Sequence, residues 1–236
     1  ALDAPTEGRV FIDEVDVEPK LTVEVYDKDE LSDDFLGGLT FRVEELVEKG
    51  VEENNYKLRN ISHGNLRMKF EWFYLSSRRE KLADIRRKQQ SNSSSTCVLL
   101  IALSSASDLP NLKRHVGGIA EPNPRILFEL SNQRIVSSVK PRTTNPKWNE
   151  NHYFFLENPE TEKLIVSVED EPTKTIIAYM SYSLGELLKE DELTIERYFD
   201  LNSKQMGYNP KLNMKLSLRV IENLLLLFSS MKYIFK

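Results

Sequence analysis

LTVEVYD at Leu21–Asp27 and LIVSVED at Leu164–Asp170 decide how this chain is organised. Each alternates apolar and polar residues, the period of a strand with one face buried. Each ends on an aspartate and leads to a second apolar stretch, Phe35–Phe41 in one case and Ile176–Tyr182 in the other. Short helical pieces follow at Val43–Lys49 and Ser183–Lys189, and Ser183 and Glu186 stand at capping-box spacing in the second. Tyr56–Leu58 then matches Tyr198–Leu201, and alternating strands from Leu66 and Leu212 close both series. Matched positions lie 143 apart at the start and 146 apart at the end, so one pattern recurs at a nearly constant offset. This is a duplicated β module.

The copies are unequal. In the second, 67 residues (97–163) precede Leu164, whereas 20 precede Leu21, and among these Val10–Val17 reads as a strand. The first copy is therefore expected to lack 47 residues of earlier strands. Predicted strands of the second copy are Cys97–Ser104, Arg125–Leu130, Arg134–Val139, Asn151–Leu156, Leu164–Glu169, Ile177–Ser183 and Leu212–Ile221, with a short one near Tyr198. Short strands separated by DLPN, EPNP, TNP and ENP turns indicate an all-β antiparallel sandwich. Between the copies, SSRREKLADIRRKQQSNSSST reads as a linker, helical at first and flexible after Lys88. The expected layout is a partial domain at 1–75, a part-helical linker at 76–96, a complete domain at 97–221 and an irregular tail at 222–236.

Charge follows the same division. Residues 1–75 hold 18 acids and 9 bases, 76–96 hold 2 acids and 6 bases, and 97–236 balance at 17 of each. A net charge of −5 removes the bulk electrostatic case for nucleic acid. Cys97 is the one cysteine, which excludes a disulfide scaffold and a cysteine zinc site. No nucleophile elbow, phosphate loop or paired acid–base constellation is present, so the expectation is not an enzyme. His63, His115 and His152 form no ligand-spaced pair.

Three segments resemble the C2 domain, a β-sandwich whose loops at one end bind calcium and phospholipid. They are TTNPKWNENHYFF at Thr143–Phe155, YDKDELSDDFLG at Tyr26–Gly37 and SASDLPNLKRHVGGIAEPNPRILFEL in the first loop and following strand of the second copy. Trp148 is expected to plug the core, with its indole N–H finding one partner. The tandem arrangement and the EKLADIRRKQQ linker are similar to the central C2 pair of the extended synaptotagmin (tricalbin-like) family.

That resemblance implies a calcium loop at Asp27, Asp29 and Asp34, with Asp33 adding a nearby charge. Calcium takes 6–8 oxygens, and packed carboxylates without a cation repel one another. The loop-one ligands would belong to the absent strands, so the site is expected to be incomplete and its affinity weak or vestigial. The second copy departs from the pattern. Asn123-Pro124-Arg125 stands where the family has D-P-Y, and Asp170 is followed by Pro172 and Thr175 at the next two ligand positions, with Lys174 adding a repelling charge. This copy is expected to be calcium-independent.

Membrane contact then needs basic side chains. Arg134, Lys140, Arg142 and Lys147 lie on or beside two adjacent predicted strands, and a C2 domain commonly presents a basic surface there. Anionic lipid is worth about 1 kcal/mol per basic residue near its surface. Scattered solubilising charge is the competing explanation. The family implies a membrane-tethering, lipid-transport protein on the cytosolic face of endoplasmic reticulum–plasma membrane contacts. Anionic phospholipid would be its partner, together with a contact between the two C2 domains. A protein scaffold without lipid binding and the regulatory region of a lipid-modifying enzyme stand as alternatives.

Overall fold

The computed structural model describes residues 20–28, 33–50, 52–60, 64–70, 73–82, 96–113 and 118–223. The expected strand at Val10–Val17, most of the linker and the tail beyond Asn223 lie outside them. The described residues divide into two units, one reaching to Phe73 and the other running from Tyr74 to Glu222. Among the described residues the sheets are built from antiparallel pairs.

In the first unit, β1 (Lys20–Lys28) pairs with β2 (Asp33–Arg42), α1 (Val43–Lys49) follows, and β3 (Glu52–Lys57) pairs with β4 (Asn65–Phe70). Among the described residues its buried apolar side chains are Leu39, Val43, Leu46 and Leu58. Phe41, Tyr56 and Phe70 add an edge-to-face aromatic cluster with centroids 4.9–6.0 Å apart.

The second unit is a full sandwich. One sheet runs β10 (Gln133–Val136), β9 (Pro124–Leu130), β12 (Lys163–Asp170), β13 (Thr175–Ser183). The other runs β11 (Lys147–Leu156), β6 (Cys97–Ser107), β15 (Lys211–Asn223), β14 (Thr194–Asp200), with β5 (Phe73–Ser76) also paired to β15. A small hairpin, β7 (Leu112–Lys113) and β8 (Ile119–Ala120), projects between β6 and β9. Leu99, Ile101, Leu103, Ile126, Phe128, Phe154, Leu164, Val166 and Leu216 fill the space between the sheets. Burying each such side chain contributes about 1.5–3 kcal/mol relative to exposure, which makes this alternation the main source of stability. At the open side, the Gln133 amide bonds both the C=O and, at 3.3 Å, the N–H of Phe155, linking the two edge strands β10 and β11.

The two units repeat one another at the level of the backbone. A bulge falls between Val25 and Tyr26 in β1, and its counterpart falls between Val168 and Glu169 in β12. An isolated bridge joins Gly38 to Arg59, and another joins Tyr179 to Asn202. Leu58 donates to the C=O of Gly64 as Leu201 donates to that of Pro210. Helix α1 buries Val43 and Leu46, and α2 (Leu184–Leu187) buries Leu184 and Leu187.

Two expectations need correcting. Ser183 is the N-cap of α2 but makes no side-chain capping bond, so the capping box does not form. The basic strands β10 and β11, successive in the chain, belong to opposite sheets because each pairs inward, with β9 and β6.

Candidate functional site

The β1–β2 hairpin places Asp27 opposite Asp34 and Lys28 opposite Asp33 in register. Like charges directly across an antiparallel pair repel. Asp27 and Asp34 thus share a register position at the hairpin mouth, and aspartate is an oxygen donor of the kind a hard cation accepts. Asp34 is exposed, and beside it Phe35 and Leu36 are exposed as well, with the Phe35 ring edge-on to Tyr26 at 5.5 Å. Asp29 lies outside the described residues. Among the described residues, no three His, Cys, Asp or Glu side chains converge as a metal-holding group.

The matching place in the second unit is closed by protein donors. Asp170, paired in register with Thr175, is 1% exposed. Its Oδ1 accepts the Asn123 N–H at 2.7 Å, and its Oδ2 accepts the Thr173 hydroxyl at 2.6 Å and N–H at 3.2 Å. Beside it, buried Glu169 accepts from both Nε and Nη2 of Arg125, at 2.9 and 2.6 Å. These residues sit opposite each other on β12 and β9, which fixes the geometry of the pair. Asp170 has given its oxygens to three donors, and Arg125 neutralises Glu169. Calcium does not fit this donor set.

Asn123 connects the loops around that carboxylate. Besides donating to Asp170, it accepts the Glu171 N–H on its C=O at 3.0 Å and the Arg142 N–H on Oδ1 at 2.9 Å. Asn145 Oδ1 accepts the Asp108 N–H at 3.1 Å, tying the same middle loop to the end of β6.

The four basic residues divide into pairs. Arg134 lies opposite Glu129 on β9 and 3.6 Å from it, and Lys140 lies 3.8 Å from Glu150. Arg142 and Lys147 are exposed and form no ion pair among the described residues. Trp148 is buried, and its Nε1–H donates to the Ser138 C=O at 2.8 Å, the single partner expected of it. Glu150 braces the same loop by accepting from the Ser138 N–H at 3.1 Å and from its hydroxyl. Burial pushes the Glu150 carboxyl up, but the Ser138 bonds, His152 and Lys140 outweigh it and hold the pKa below the ordinary value. Burial lowers the His152 pKa, with Glu150 opposing in part.

Sequence reasoning missed Glu169 and Thr173, and it took Arg125 only as a departure from a tyrosine. The signal was present: an arginine and a glutamate on strands of one sheet, each an ion that needs a partner if buried.

The family model for the C2 domain matches residues 9–58 and 97–200. Extended synaptotagmin-2 of Mus musculus is 32% identical over 208 residues, covering 86% of this chain and 24% of that protein. Extended synaptotagmin-1 of Mus musculus is 33% identical over 207 residues, covering 86% and 18%. The chain thus spans about a quarter or less of these relatives. Among solved structures, extended synaptotagmin 2 with its SMP domain and two C2 domains matches at a TM-score of 0.63 and 28% identity, over 86% of this chain and 46% of that one. The calcium-bound pair of C2 domains of extended synaptotagmin 2 matches at 0.61 and 27%, over 86% and 72%. The repeated strand pairing, the loop ends it creates and these likenesses agree: the chain belongs to the C2 domain family, with extended synaptotagmins among its relatives.

Proposed function

We propose that this chain is a tandem C2 module that docks on anionic phospholipid, part of a membrane-tethering, lipid-transport protein at endoplasmic reticulum–plasma membrane contacts. The observation that carries the proposal is the closed loop end of the second unit, with Arg142 and Lys147 exposed beside it and without an ion pair among the described residues. Such an end needs no cation to relieve internal repulsion before it approaches a negative surface. Its contact is electrostatic and present at all times.

The first unit supplies the calcium-dependent part. Asp27, Asp29 and Asp34 form a residual calcium loop of weak affinity. That a related pair of C2 domains is calcium-bound supports calcium as a ligand in this family. A bound cation would neutralise the opposed carboxylates and let exposed Phe35 and Leu36 approach lipid. Among the described residues no helix is long and apolar enough to cross a membrane.

Sedimentation with phosphatidylserine-containing and pure phosphatidylcholine vesicles tests the proposal. The full chain pellets with the anionic vesicles in chelator, pellets somewhat more with calcium, and ignores neutral vesicles. Asp27→Asn with Asp29→Asn removes the calcium increment alone. Absence of binding to either vesicle would sink the lipid proposal and favour a protein scaffold, and an increment that survives both substitutions would remove the ligand assignment.

A further inference from the structure

We infer that Asn123 and Asp170 take the place of a bridging cation in the second unit, holding three loops together by hydrogen bonds and so positioning Arg142 for anionic lipid; this rests on the lipid-docking function proposed above.

A cation organises such an end by collecting oxygens from separate loops. Here the polarity is reversed, and donors collect on one anion. Asp170 receives the Asn123 N–H from the first loop and both Thr173 donors from the third. Hydrogen bonds to an ionised carboxylate are about twice as strong as neutral ones, and at 1% exposure water competes little for it. Asn123 extends the network to the middle loop through its Oδ1 and the Arg142 N–H, and back to the third through its C=O and the Glu171 N–H. Every hydrogen-bonding group of its backbone, and its side-chain oxygen, is used. An aspartate at 123 would keep the acceptor for Arg142 but set a second anion on the residue whose N–H already binds Asp170. The neutral amide removes that conflict.

The consequence falls on Arg142. Its φ of 49° is left-handed, a conformation that costs a non-glycine residue energy. The bond to Asn123 holds the backbone there, while the guanidinium is exposed and forms no ion pair among the described residues. Arg142 is thus fixed at its root and free at its head. Asp170 and Asn123 are positioning residues: they touch no lipid and act through Arg142.

The test measures binding of the full chain to phosphatidylserine-containing vesicles in chelator. The variants are Asp170→Asn and Asn123→Ala, each with and without Arg142→Ala. Asp170→Asn removes a negative charge, so charge alone would tighten binding. Loss of the clasp instead weakens it, by about fivefold, the worth of one basic contact at an anionic surface. Asn123→Ala, which leaves charge unchanged, gives a similar loss. Arg142→Ala costs about fivefold in the wild-type background and nothing further in either variant, because the effects pass through one side chain. Unchanged or tighter binding by Asp170→Asn, or additive losses with Arg142→Ala, would overturn the inference. Hydrogen exchange separates this failure from failure of the lipid proposal. Faster exchange of the Arg142 amide in Asn123→Ala supports the clasp even if the wild-type chain ignores vesicles, and unchanged exchange refutes it.

Discussion

Asp27 and Asp170 occupy the same place in two copies of one backbone pattern, two residues past the start of a matched bulge in matched strands. Opposite Asp27 stands Asp34, whereas opposite Asp170 stands Thr175. One position before them are Tyr26 and Glu169, the first exposed on a hairpin and the second buried against Arg125. Strand pairing is the same in both, while the residues set around the aspartate differ. A fold built on backbone ladders and an apolar interior tolerates either solution, because neither alters the residues that face the core.

The cores of the two units differ as much as their loops, and the largest expected effect tests that difference. Leu46 and Leu187 are matched and buried, but only Leu187 belongs to the large cluster between two sheets. Leu187→Ala is expected to destabilise its unit by about 2–5 kcal/mol, and Leu46→Ala by less than about 2 kcal/mol, because among the described residues the first unit buries four apolar side chains, Leu39, Val43, Leu46 and Leu58. Urea unfolding read through amide exchange in each unit checks this. Equal costs would break the comparison. The same experiment should show amides of β1–β4 exchanging faster than those of β6, β9, β12 and β15.

A somewhat smaller effect is expected at the loop end. Arg125→Ala strands the Glu169 carboxylate, 8% exposed, without its counter-ion, and is expected to cost about 2–4 kcal/mol. Arg125→Ala combined with Glu169→Leu should recover most of that loss, since a packed apolar pair replaces a desolvated ionic one. If the single substitution leaves the unfolding midpoint of the second unit unmoved, the pair contributes nothing to closure.

The smallest effect concerns pH. Burial holds the His152 pKa below its ordinary 6.5, so the unfolded chain binds that proton more readily than the folded one. The stability that depends on neutral His152 is complete above the unfolded pKa and declines as pH falls through the folded value. Glu150, also lowered, adds a second decline below its ordinary 4.5. His152→Gln should flatten the fall in melting temperature on acidification from about pH 7 to about pH 5, by a few degrees at most. An unaltered slope would show that His152 does not titrate with unfolding.

Alternation made the strands legible. LIVSVED has a buried side chain at Leu164, Val166 and Val168 and outward residues between them, and β12 follows that pattern closely. Turn residues marked the loops, and Trp148 and the helix at Val43–Lys49 lie where the pattern put them. Charge pairing was less legible, because partners such as Arg125 and Glu169 are 44 residues apart and meet only through strand register. Asn123 could be recognised as a missing ligand but not as a connector. Its role depends on backbone groups of Arg142 and Glu171, and backbone groups leave no mark in a sequence. Sheet membership of the basic strands was hidden for a related reason: a chain that crosses from one sheet to the other looks no different from one that turns back.

The Gln133 side chain, spanning the open side of the sandwich, carries a further implication for a protein that would gather at high density on a bilayer. Unpaired strand edges invite other chains to add themselves. By occupying the Phe155 peptide group with its own amide, Gln133 removes one rung from the edge of β11 that an incoming strand would need. Molecules crowded side by side on a membrane would then lack, at that edge, one of the backbone rungs that strand addition requires.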